Sequence, residues 1–485
     1  MKTAEGVEEY IYERLTRKFS DQIASGLLRV GDKLPSVRSI CREEAVSAAT
    51  AMQAMALLEA RGWIEARPRS GFYVKWRKVR ETPLPDSTLC SLEPTVVGVS
   101  DIAADVFQAA GDPNLVALGT AIPAPELLPI ERISRYMSSA SREHMETIGR
   151  YDITIGYPEL IRQLALRFTR MGCDVPQEEI AITIGTMEAL NLALRAVAKP
   201  GDIIAVESPC YFGILEIIES LGLKAIAIPV TSESGVDLNL LEIALEKHPI
   251  KAFILNSNFS NPSGHCMTPN DRERMVHLLE DHGVPCIEDD NYGELVFSGQ
   301  RPKPLKGYGK GCNVIYCASF SKTLSPGLRV GWIAAGDYAE RVRRLKYIST
   351  VATPMIPQIA LSKFLQSESY DRHLRKLRSA LCTQMAQTSE AVLNAFPKGT
   401  RVSQPGGGCA LWIQLPQGVN ALDLHALALK DGISIAPGQL FCPVGSSSDR
   451  IRITTGHPMD AKIEESIKVL GRHVRDLAAE ALRVV

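Results

Sequence analysis

The chain has 485 residues, of which 45% are hydrophobic and 22% charged, and its formal net charge is -1. This length is too great for one compact core and predicts at least two domains, with a composition ordinary for a globular protein. No apolar run is long enough to span a bilayer and the first residues lack a signal-peptide core, which excludes a membrane-spanning protein from the interpretation and predicts a cytoplasmic one with no membrane partner.

The cysteines and histidines do not form a ligand or disulfide pattern. The eleven cysteines include no CxxC pair, and their odd number argues against a disulfide framework. No HExxH motif or Cys/His cluster occurs. We therefore predict no metal site.

Positive charge is concentrated near the N-terminus. Residues 1–78 carry fourteen Lys and Arg against ten Asp and Glu, so the rest of the chain has a net charge of -5. Within residues 61–80, seven basic residues occur with one acid, Glu65. Such a cluster supplies the sequence-independent part of phosphate binding, although a solvated hairpin and linker can have the same composition.

The first 78 residues show the pattern of three helices and a two-stranded ribbon. Apolar residues recur at four-residue spacing over residues 7–25, which predicts the first helix. Ser36 and Ser47 each precede a short helical pattern, where their hydroxyls can accept bonds from free backbone amides. Residues 63–66 and 72–74 have the composition of short strands. Together these elements indicate a winged helix-turn-helix.

Two segments of this region resemble the DNA-binding domain of the GntR family of bacterial regulators. They are residues 31–38, Gly-Asp-Lys-Leu-Pro-Ser-Val-Arg, and residues 58–74, from Leu-Glu-Ala-Arg-Gly to Gly-Phe-Tyr-Val. The resemblance implies that double-stranded DNA at a promoter or operator is a partner, with the arginines positioned on phosphates. The implied DNA contacts are Ser36, Arg38, Ser47 and Thr50, and at the wing Arg67, Arg69 and Gly71.

The start of the third helix departs from the family pattern. The family usually has Ser-Arg-x-Thr there, whereas this chain has Ser47-Ala-Ala-Thr50. Gln53 is the only other long polar side chain early in that helix. We therefore expect few base-edge contacts, with specificity coming from dimer spacing and the wing. A small helical module that does not bind DNA is the alternative.

Residues 79–105 are predicted to form a linker. They include Pro83, Pro85 and Pro94 and show little periodicity. This linker separates a DNA-binding domain, residues 1–78, from a second domain, residues 106–485, and lets the two move relative to each other.

In the second domain, apolar runs typical of strands alternate with helical patterns. This order predicts an α/β domain with a mainly parallel sheet and helices on both faces. In such sheets ligands bind beyond the carboxyl ends of the strands. The runs are residues 180–184, 203–206, 225–230, 252–255, 285–288 and 314–318.

The last of these runs leads into a polar segment, Ser319-Phe-Ser-Lys322, that is followed by Arg329. A lysine in a partly apolar pocket has a lowered pKa, so its neutral amine can form a Schiff base with an aldehyde. An arginine at this distance suits a phosphate. Taken alone, the segment is as well explained by a surface Ser/Lys loop.

The preceding strands are followed by four other motifs, each of which has a common structural explanation. Gly185 opens a helix whose free amides suit a phosphate. Tyr211 is placed in a loop where its ring can stack or pack, and Asn261 begins an Asn-Pro-x-Gly turn. Asp289 ends a strand and is followed by Tyr292, and an acidic strand end of this kind is usually structural or related to a metal.

The order of all these motifs over residues 185–329 resembles the fold-type I pyridoxal-phosphate enzymes, the aspartate aminotransferase superfamily. The resemblance extends from about residue 110 to the C-terminus and implies a smaller C-terminal α+β subdomain. It implies that Lys322 binds pyridoxal 5'-phosphate as a Schiff base and that Asp289 pairs with the pyridine nitrogen. Asn261 and Tyr292 would contact the ring oxygen, and Tyr211 would stack on the ring. The implied phosphate contacts are Gly185, Thr186, Met187, Ser319, Ser321 and Arg329.

Two further residues match positions of that superfamily. Tyr151 matches the tyrosine that contacts the cofactor phosphate of the neighbouring subunit. Arg452, in Arg450-Ile-Arg452-Ile, matches the arginine that binds the substrate carboxylate, while Arg450 is assigned to a surface salt bridge.

A GntR-type winged helix joined to an aminotransferase-like domain resembles the MocR/GabR family of bacterial regulators. That family implies a transcription regulator, usually a homodimer, whose cofactor-bearing domain senses a small amino compound and modulates DNA binding. A second function stays open, because Lys322, Asp289 and Arg452 are all present: a pyridoxal-phosphate-dependent aminotransferase acting on an amino acid or amine, with a secondary or vestigial DNA-binding domain.

Overall fold

The chain divides into two compact units, Met1–Glu81 and Thr82–Val485. Arg69, the start of the first predicted helix, and residues 76–83 and 86–90 around the predicted linker lie outside the described residues. The computed structural model describes residues 10–24, 27–28, 32–67, 70–75, 84–85, 91–151, 155–231, 235–308, 314–367, 369–443 and 447–484.

The described residues of the N-terminal unit form three helices and one antiparallel ribbon, as the sequence predicts. Ser36 Oγ accepts a hydrogen bond from the Ser39 amide at 3.1 Å, and Ser47 Oγ accepts one from the Thr50 amide at 3.1 Å. Both hydroxyls therefore satisfy amides that a helix start leaves unpaired. The elements are α1 (Ile11–Ala24), α2 (Val37–Glu43), α3 (Ala48–Ala60), β1 (Ile64–Arg67) and β2 (Gly71–Val74).

The N-terminal unit has its own hydrophobic core. Side chains from all three helices and from both strands of the ribbon meet there, which fixes the ribbon against the helices. The fully buried members include Leu15, Phe19, Leu34, Ile40, Ala51, Ala54, Met55, Leu58, Ile64 and Val74.

The C-terminal unit is an α/β structure with one large sheet. The helices are α4 (Ser100–Gly111), α5 (Ile130–Glu143), α6 (Pro158–Arg170), α7 (Gly185–Val197), α8 (Phe212–Ser220), α9 (Leu238–Lys247), α10 (Pro269–Asp281), α11 (Ala339–Thr350), α12 (Met355–Gln366), α13 (Ser369–Ala395), α14 (Ala421–Lys430) and α15 (Ala461–Val484). The strands are β3 (Thr95–Val96), β4 (Val116–Ala117), β5 (Ile180–Thr183), β6 (Ile203–Ser208), β7 (Lys224–Thr231), β8 (Gly235–Val236), β9 (Ile250–Leu255), β10 (Cys286–Asp289), β11 (Val314–Ser319), β12 (Gly331–Ala334), β13 (Arg401–Val402), β14 (Ala410–Gln414), β15 (Ile433–Ser434), β16 (Ala436–Pro437) and β17 (Arg450–Thr454).

The large sheet is mainly parallel and is covered on both faces. Among the described strands its order is β3-β7-β6-β9-β10-β11-β12-β5, with β8 beside β7. Strands β7, β6, β9, β10 and β11 run parallel, whereas β12 is antiparallel to both of its neighbours. Alternate residues of β11 enter two different cores, Ile315 and Cys317 in one and Tyr316 and Ala318 in the other. This period of two is that of a strand buried on both sides.

A smaller antiparallel sheet lies in the C-terminal part of this unit, as expected. Its order is β13-β14-β17-β16. Arg452 on β17 pairs with Trp412 on β14, which places the arginine in the middle of the sheet. No helix in the described part of the chain is both long enough and apolar enough to cross a membrane.

The predicted linker differs from the structure in its second half. The strand Thr95–Val96 pairs antiparallel with β7, and the helix Ser100–Gly111 follows it directly. Both elements belong to the C-terminal unit, so the predicted range of residues 79–105 extends too far. A two-residue strand is too short to show periodicity, which is why the sequence does not reveal it.

Candidate cofactor and DNA-binding sites

The carboxyl ends of β9, β10 and β11 and the N-terminus of α7 surround a cavity of about 170 Å³. Parallel strands bring their carboxyl ends to one edge of a sheet, where ligands bind in folds of this class. Ten of the twelve residues predicted to bind a cofactor line this cavity: Thr186, Met187, Tyr211, Asn261, Asp289, Tyr292, Ser319, Ser321, Lys322 and Arg329.

Lys322 lies in the turn after β11, where it is half-buried. Burial lowers the pKa of its amine to about 8, and the cations Arg452 and Arg329 contribute to the lowering. An unperturbed lysine has a pKa of about 10.4, so a much larger fraction of this amine is neutral near pH 7. The neutral amine is the form that condenses with an aldehyde.

Asp289 is buried at the carboxyl end of β10. Burial raises the pKa of its carboxyl to about 7, because the charged form loses its hydration. Asn291 Nδ2 donates to Asp289 Oδ1 at 2.7 Å, and Asn256 Nδ2 donates to the backbone carbonyl of Asp289 at 2.8 Å. Asn291 thus bonds the carboxylate and Asn256 bonds its backbone. Among the residues that the structure describes, none forms a salt bridge with Asp289, so its carboxylate can pair with a cation in the cavity.

Hydroxyl groups gather at one end of the cavity, beside the N-terminus of α7. The side-chain oxygen of Asn291 accepts hydrogen bonds from Thr186 Oγ1 at 2.7 Å and from Ser319 Oγ at 2.9 Å. Asn291 therefore connects Asp289 to the hydroxyl end of the same cavity. The helix start adds backbone amides to the hydroxyls there, since α7 has no side-chain cap.

Arg329 completes this end of the cavity. Its Nη1 donates to Ser321 Oγ at 3.4 Å, and its Nη2 donates to the Ile184 carbonyl at 3.2 Å. Gly185 has a φ of +72°, and a Cβ at that position would collide with the Arg329 guanidinium. Glycine is thus required both by its backbone conformation and by the close approach of the arginine.

Two tyrosines and an asparagine line the other walls. The Tyr211 ring lies against Gly213, where a Cβ would come within 2.6 Å of it. Tyr292 Oη donates to the Ala121 carbonyl at 3.1 Å. Burial raises the pKa of Tyr211 to about 12, so the phenol stays protonated at neutral pH.

Arg452 lies beside Asn261, with its side chain fully buried. Its Nη1 donates to Asn261 Oδ1 at 3.0 Å, and its Nη2 donates to the Gly119 carbonyl. Arg450 instead pairs with Asp449, Nε to Oδ1 at 3.4 Å. The placement of Arg452 next to the cavity supports its assignment over Arg450, although Arg450 is also buried rather than on the surface.

Tyr151 is separate from this cluster. It is 80% exposed and does not line the cavity of its own chain. A tyrosine that contacts the cofactor of another subunit is expected to be exposed on its own chain. The predicted contact of Tyr151 with the phosphate of a neighbouring subunit stays a prediction.

In the N-terminal unit, the predicted DNA contacts lie at the starts of α2 and α3 and on the ribbon. Ser36, Arg38 and Ser47 are exposed and Thr50 is half-buried. The oxygens of Ser36 and Ser47 serve as helix caps. Of the four predicted contacts on these two helices, Arg38 is the one with a long cationic side chain.

The ribbon shows one contact that the sequence does not reveal. The Arg67 guanidinium donates from Nε to Glu65 Oε1 at 2.8 Å and lies 4.3 Å from the centre of the Tyr73 ring. Gly71 has a φ of +106°, and a Cβ there would meet Lys33 Cε at 3.2 Å. Lys33 therefore adds a cation beside the wing, although it is not among the DNA contacts that the resemblance implies.

Sequence reasoning missed several residues of the cavity. Asn291 stands in the sequence between Asp289 and Tyr292, which are both predicted cofactor contacts, and this position could have indicated its place in the cavity. Asn256 directly follows β9, and a polar residue at the carboxyl end of a parallel strand could have indicated the cavity. The other cavity residues that were not predicted are Ile122, Leu190 and Pro326.

The donor set fits pyridoxal phosphate. In the part of the chain that the structure describes, Arg329 contacts hydroxyl and carbonyl oxygens and no carboxylate, so its charge is available for a phosphate. Arg452 Nε is buried without a hydrogen-bond partner among the described residues. The partly neutral lysine matches an aldehyde, and the buried carboxylate, which has no salt bridge among the described residues, matches a protonated pyridine. The arginine and the hydroxyl groups around it match a phosphate.

Two family descriptions match the chain. Residues 125–470 match "Aminotransferase class I and II", and residues 11–74 match "Bacterial regulatory proteins, gntR family". The chain is 36% identical to the uncharacterized HTH-type transcriptional regulator YdcR of Escherichia coli over 96% of its own length and 99% of that protein. The predicted combination of domains is thus confirmed.

Two proteins named as aminotransferases are similar to about three quarters of this chain. Aromatic-amino-acid aminotransferase 1 of Thermococcus litoralis is 29% identical over 75% of this chain and 88% of that protein. The crystal structure of LysN, the alpha-aminoadipate aminotransferase of Thermus thermophilus, superposes with a TM-score of 0.72 at 28% identity, covering 78% of this chain and 95% of that one. The LysN crystal contains N-(5'-phosphopyridoxyl)-L-leucine.

These matches confirm the predicted fold class and cofactor, pyridoxal 5'-phosphate, for the C-terminal unit. The full-length match to an HTH-type regulator includes the N-terminal unit as well. The chain therefore belongs to the family of MocR-like proteins, in which a GntR-type winged helix precedes a class I and II aminotransferase domain.

Proposed function

We propose that this protein is a transcription regulator whose pyridoxal-phosphate-binding domain senses a small amino compound and changes the affinity of the winged helix for promoter DNA. The observation that supports this proposal best is the coexistence, in one chain, of a GntR-type unit and a cavity that keeps the cofactor lysine, the buried aspartate and the arginine cradle. An effector acts only through unequal affinity for two conformations of the protein.

Within the cavity we assign the residues by the groups they can bind. Pyridoxal phosphate, when bound, supplies an aldehyde that condenses with amines and a pyridine ring that accepts electrons. Lys322 offers the amine and, once free, a base that can move a proton at the α-carbon of an amino compound. Asp289 holds a proton at the pyridine nitrogen by its charge, and Arg329 binds the phosphate.

Arg452 sets the class of effector. Its guanidinium is buried beside the cavity and is bonded to Asn261 and to a carbonyl rather than to a carboxylate. A buried cation of this kind favours a ligand that carries a carboxylate. We therefore propose an amino acid as the effector, in preference to a simple amine.

We expect DNA binding to weaken steeply with salt and Arg38 to contribute one phosphate contact. Removing one contact should lower the slope of log affinity against log salt by about 1. The Arg38→Gln variant, measured by fluorescence anisotropy over a salt series, should show this smaller slope. Arg14→Gln, an exposed arginine on α1, is the control and should keep the wild-type slope. Equal slopes for wild type and Arg38→Gln would show that Arg38 does not contact a DNA phosphate.

We propose a homodimer in which Tyr151 of one subunit reaches the phosphate cradle of the other. Large apolar side chains are exposed near Tyr151 in the chain, Met145 at 68% and Ile148 at 64%, and others are exposed at the end of α11, Tyr347 at 54% and Ile348 at 63%. Large apolar side chains exposed close together in the chain, as in each of these two segments, are expected where a partner covers them.

Subunit mixing tests this arrangement. Tyr151→Phe should weaken cofactor affinity about ten- to hundredfold, since a hydrogen bond to a charged group contributes roughly 1.5 to 3 kcal/mol. Lys322→Ala and Tyr151→Phe subunits are mixed, dissociated and reassociated. In each mixed dimer one of the two sites then has both Lys322 and Tyr151, so half of the sites in mixed dimers should bind the cofactor tightly. No recovery on mixing would show that Tyr151 acts within its own chain.

A second function, aminotransferase activity, is supported by the same three residues, Lys322, Asp289 and Arg452. Adding a keto acid with the amino compound distinguishes the two functions. Repeated turnover at a rate that sustains metabolism would favour the enzyme, whereas a single conversion or none, together with a change in DNA affinity, would favour the regulator.

A further inference from the structure

A second cleft lies between α5 and α13, apart from the cofactor cavity. It has a volume of about 430 Å³ and shares no lining residue with that cavity. Four side chains that are cationic at every physiological pH line it: Arg132 and Arg135 from α5, and Arg372 and Lys376 from α13. Two carboxylates, Glu126 and Glu131, also line it, so the positive charges outnumber the negative ones by two to one.

These cations are not used by the fold. All four are exposed, and none forms a salt bridge or side-chain hydrogen bond within the described residues. By contrast, Glu143 on α5 is paired with Lys363 of α12, and Glu159 on α6 is paired with Arg162. Like charges on two helices that face one cleft repel each other, and an anion between them relieves that repulsion.

The wall of the cleft is connected to the turn that carries the cofactor lysine. His373, on the second turn of α13, lines the cleft and donates from Nε2 to the Thr323 carbonyl at 2.6 Å. Thr323 directly follows Lys322 in the chain. Burial lowers the pKa of His373, and Arg132 and Lys376 lower it further, so the ring is neutral near pH 7 and both cations act on it from the two helices.

We propose that this cleft is a second ligand site for a small polyanion, a phosphate ester or a polycarboxylate, and that its occupancy is transmitted to Lys322 through His373 and Thr323. The convergence of four unpaired cations on one concave volume, within the described part of the chain, supports an anion. The size of the cleft favours a small molecule. The proposal goes beyond the sensing of an amino compound, because the second ligand would bind without contacting the cofactor.

Calorimetric titration of the borohydride-reduced holoprotein with pyrophosphate and with citrate tests the site. Reduction keeps the cofactor in place, so its phosphate cradle is filled and does not bind the probe. At least one probe should bind saturably, and the probe that binds identifies the source as phosphate or carboxylate. The Arg372→Gln, Lys376→Gln double variant should weaken that binding at least about tenfold, as loss of two charge-assisted contacts requires.

Arg375→Gln is the matched control, since Arg375 is exposed on the same helix but does not line the cleft. It should bind the probe within about twofold of wild type, a difference that corresponds to roughly 0.4 kcal/mol. The site is refuted if neither probe binds saturably or if the double variant binds like wild type. A double variant that instead loses affinity for DNA, in a protein that ignores both probes, would assign the cations to the nucleic acid and overturn the small-anion site.

Transmission to the lysine has its own readout. In unreduced holoprotein the probe should shift the absorbance of the lysine-bound cofactor, and His373→Gln should reduce that shift while the probe still binds. A probe that binds without changing the absorbance would refute the transmission.

Discussion

Replacement of Lys322 by alanine is expected to abolish covalent attachment of the cofactor. Alanine offers no amine, and the other polar side chains that line the cavity carry hydroxyls, amides, a carboxylate, phenols and a guanidinium. Borohydride reduction followed by denaturation should therefore leave the cofactor on the wild-type chain and none on Lys322→Ala, as measured by intact mass. The variant should still bind pyridoxal phosphate reversibly, because Arg329 and its hydroxyl neighbours remain.

Lys251→Ala provides the control, since Lys251 is exposed on β9 in the same sheet. It should carry the cofactor after reduction as the wild type does. Peptide mapping of the reduced wild type should place the cofactor on Lys322. Its recovery on another lysine would refute the assignment and with it the role of the cavity.

Replacement of Asp289 by asparagine should have two opposite effects. With the cofactor bound, loss of the carboxylate removes a charge beside the pyridine nitrogen, and a charge pair at about 4 Å contributes on the order of 4 kcal/mol at an effective dielectric constant of 20. Conversion of an amino acid in a single-turnover experiment should slow by up to about a thousandfold. The half-reaction is followed by stopped-flow absorbance.

Without the cofactor, Asp289→Asn should stabilise the fold at high pH. The pKa of Asp289 is raised to about 7, so between its unfolded value of about 3.9 and 7 the folded chain binds the proton more strongly. Stability of the cofactor-free chain therefore falls as the pH rises through this range, by a few kcal/mol at most, and asparagine removes that loss.

Urea unfolding of the cofactor-free proteins at several pH values measures this effect. Asp281→Asn, which replaces an exposed aspartate at the end of α10, is the control and should follow the wild-type pH dependence. If Asp289→Asn destabilised the cofactor-free chain at pH 8, the buried carboxylate would be paired in a way that its surroundings do not show.

The cofactor site was predictable from the sequence because most of its residues follow strands that are easy to recognise. β11 is an apolar run up to Ser319, and β10 begins apolar and ends in Glu288 and Asp289. Parallel pairing places the ends of the two strands side by side. Once the strands are parallel, motifs far apart in the chain must meet. The caps at Ser36 and Ser47 were predictable for a local reason, since each hydroxyl serves an amide three residues away.

Residues that act through tertiary contacts were not predictable. Asn291 joins Asp289 to Thr186 and Ser319, and its partners lie on three different segments. The cleft lined by Arg132 and Arg372 depends on the packing of α5 near α13, which no pattern within either helix specifies. Periodicity describes one element at a time and carries no information on which helices become neighbours.

Regulation requires that the two units be energetically coupled. An amino acid that binds one conformation of the large domain more tightly shifts the population toward it, and a hundredfold preference supplies about 2.7 kcal/mol. By linkage, DNA must then change the affinity for the amino acid by the same factor as the amino acid changes the affinity for DNA. Neither unit can show this alone.

The most direct measurement is therefore a titration of the full-length protein with a panel of amino acids, in which cofactor absorbance and anisotropy of a labelled promoter fragment are recorded on the same samples. The amino acid that changes the absorbance should change DNA affinity with the same midpoint, and Lys322→Ala should lose both responses. An absorbance change that saturates while DNA affinity stays constant would contradict the proposed regulation.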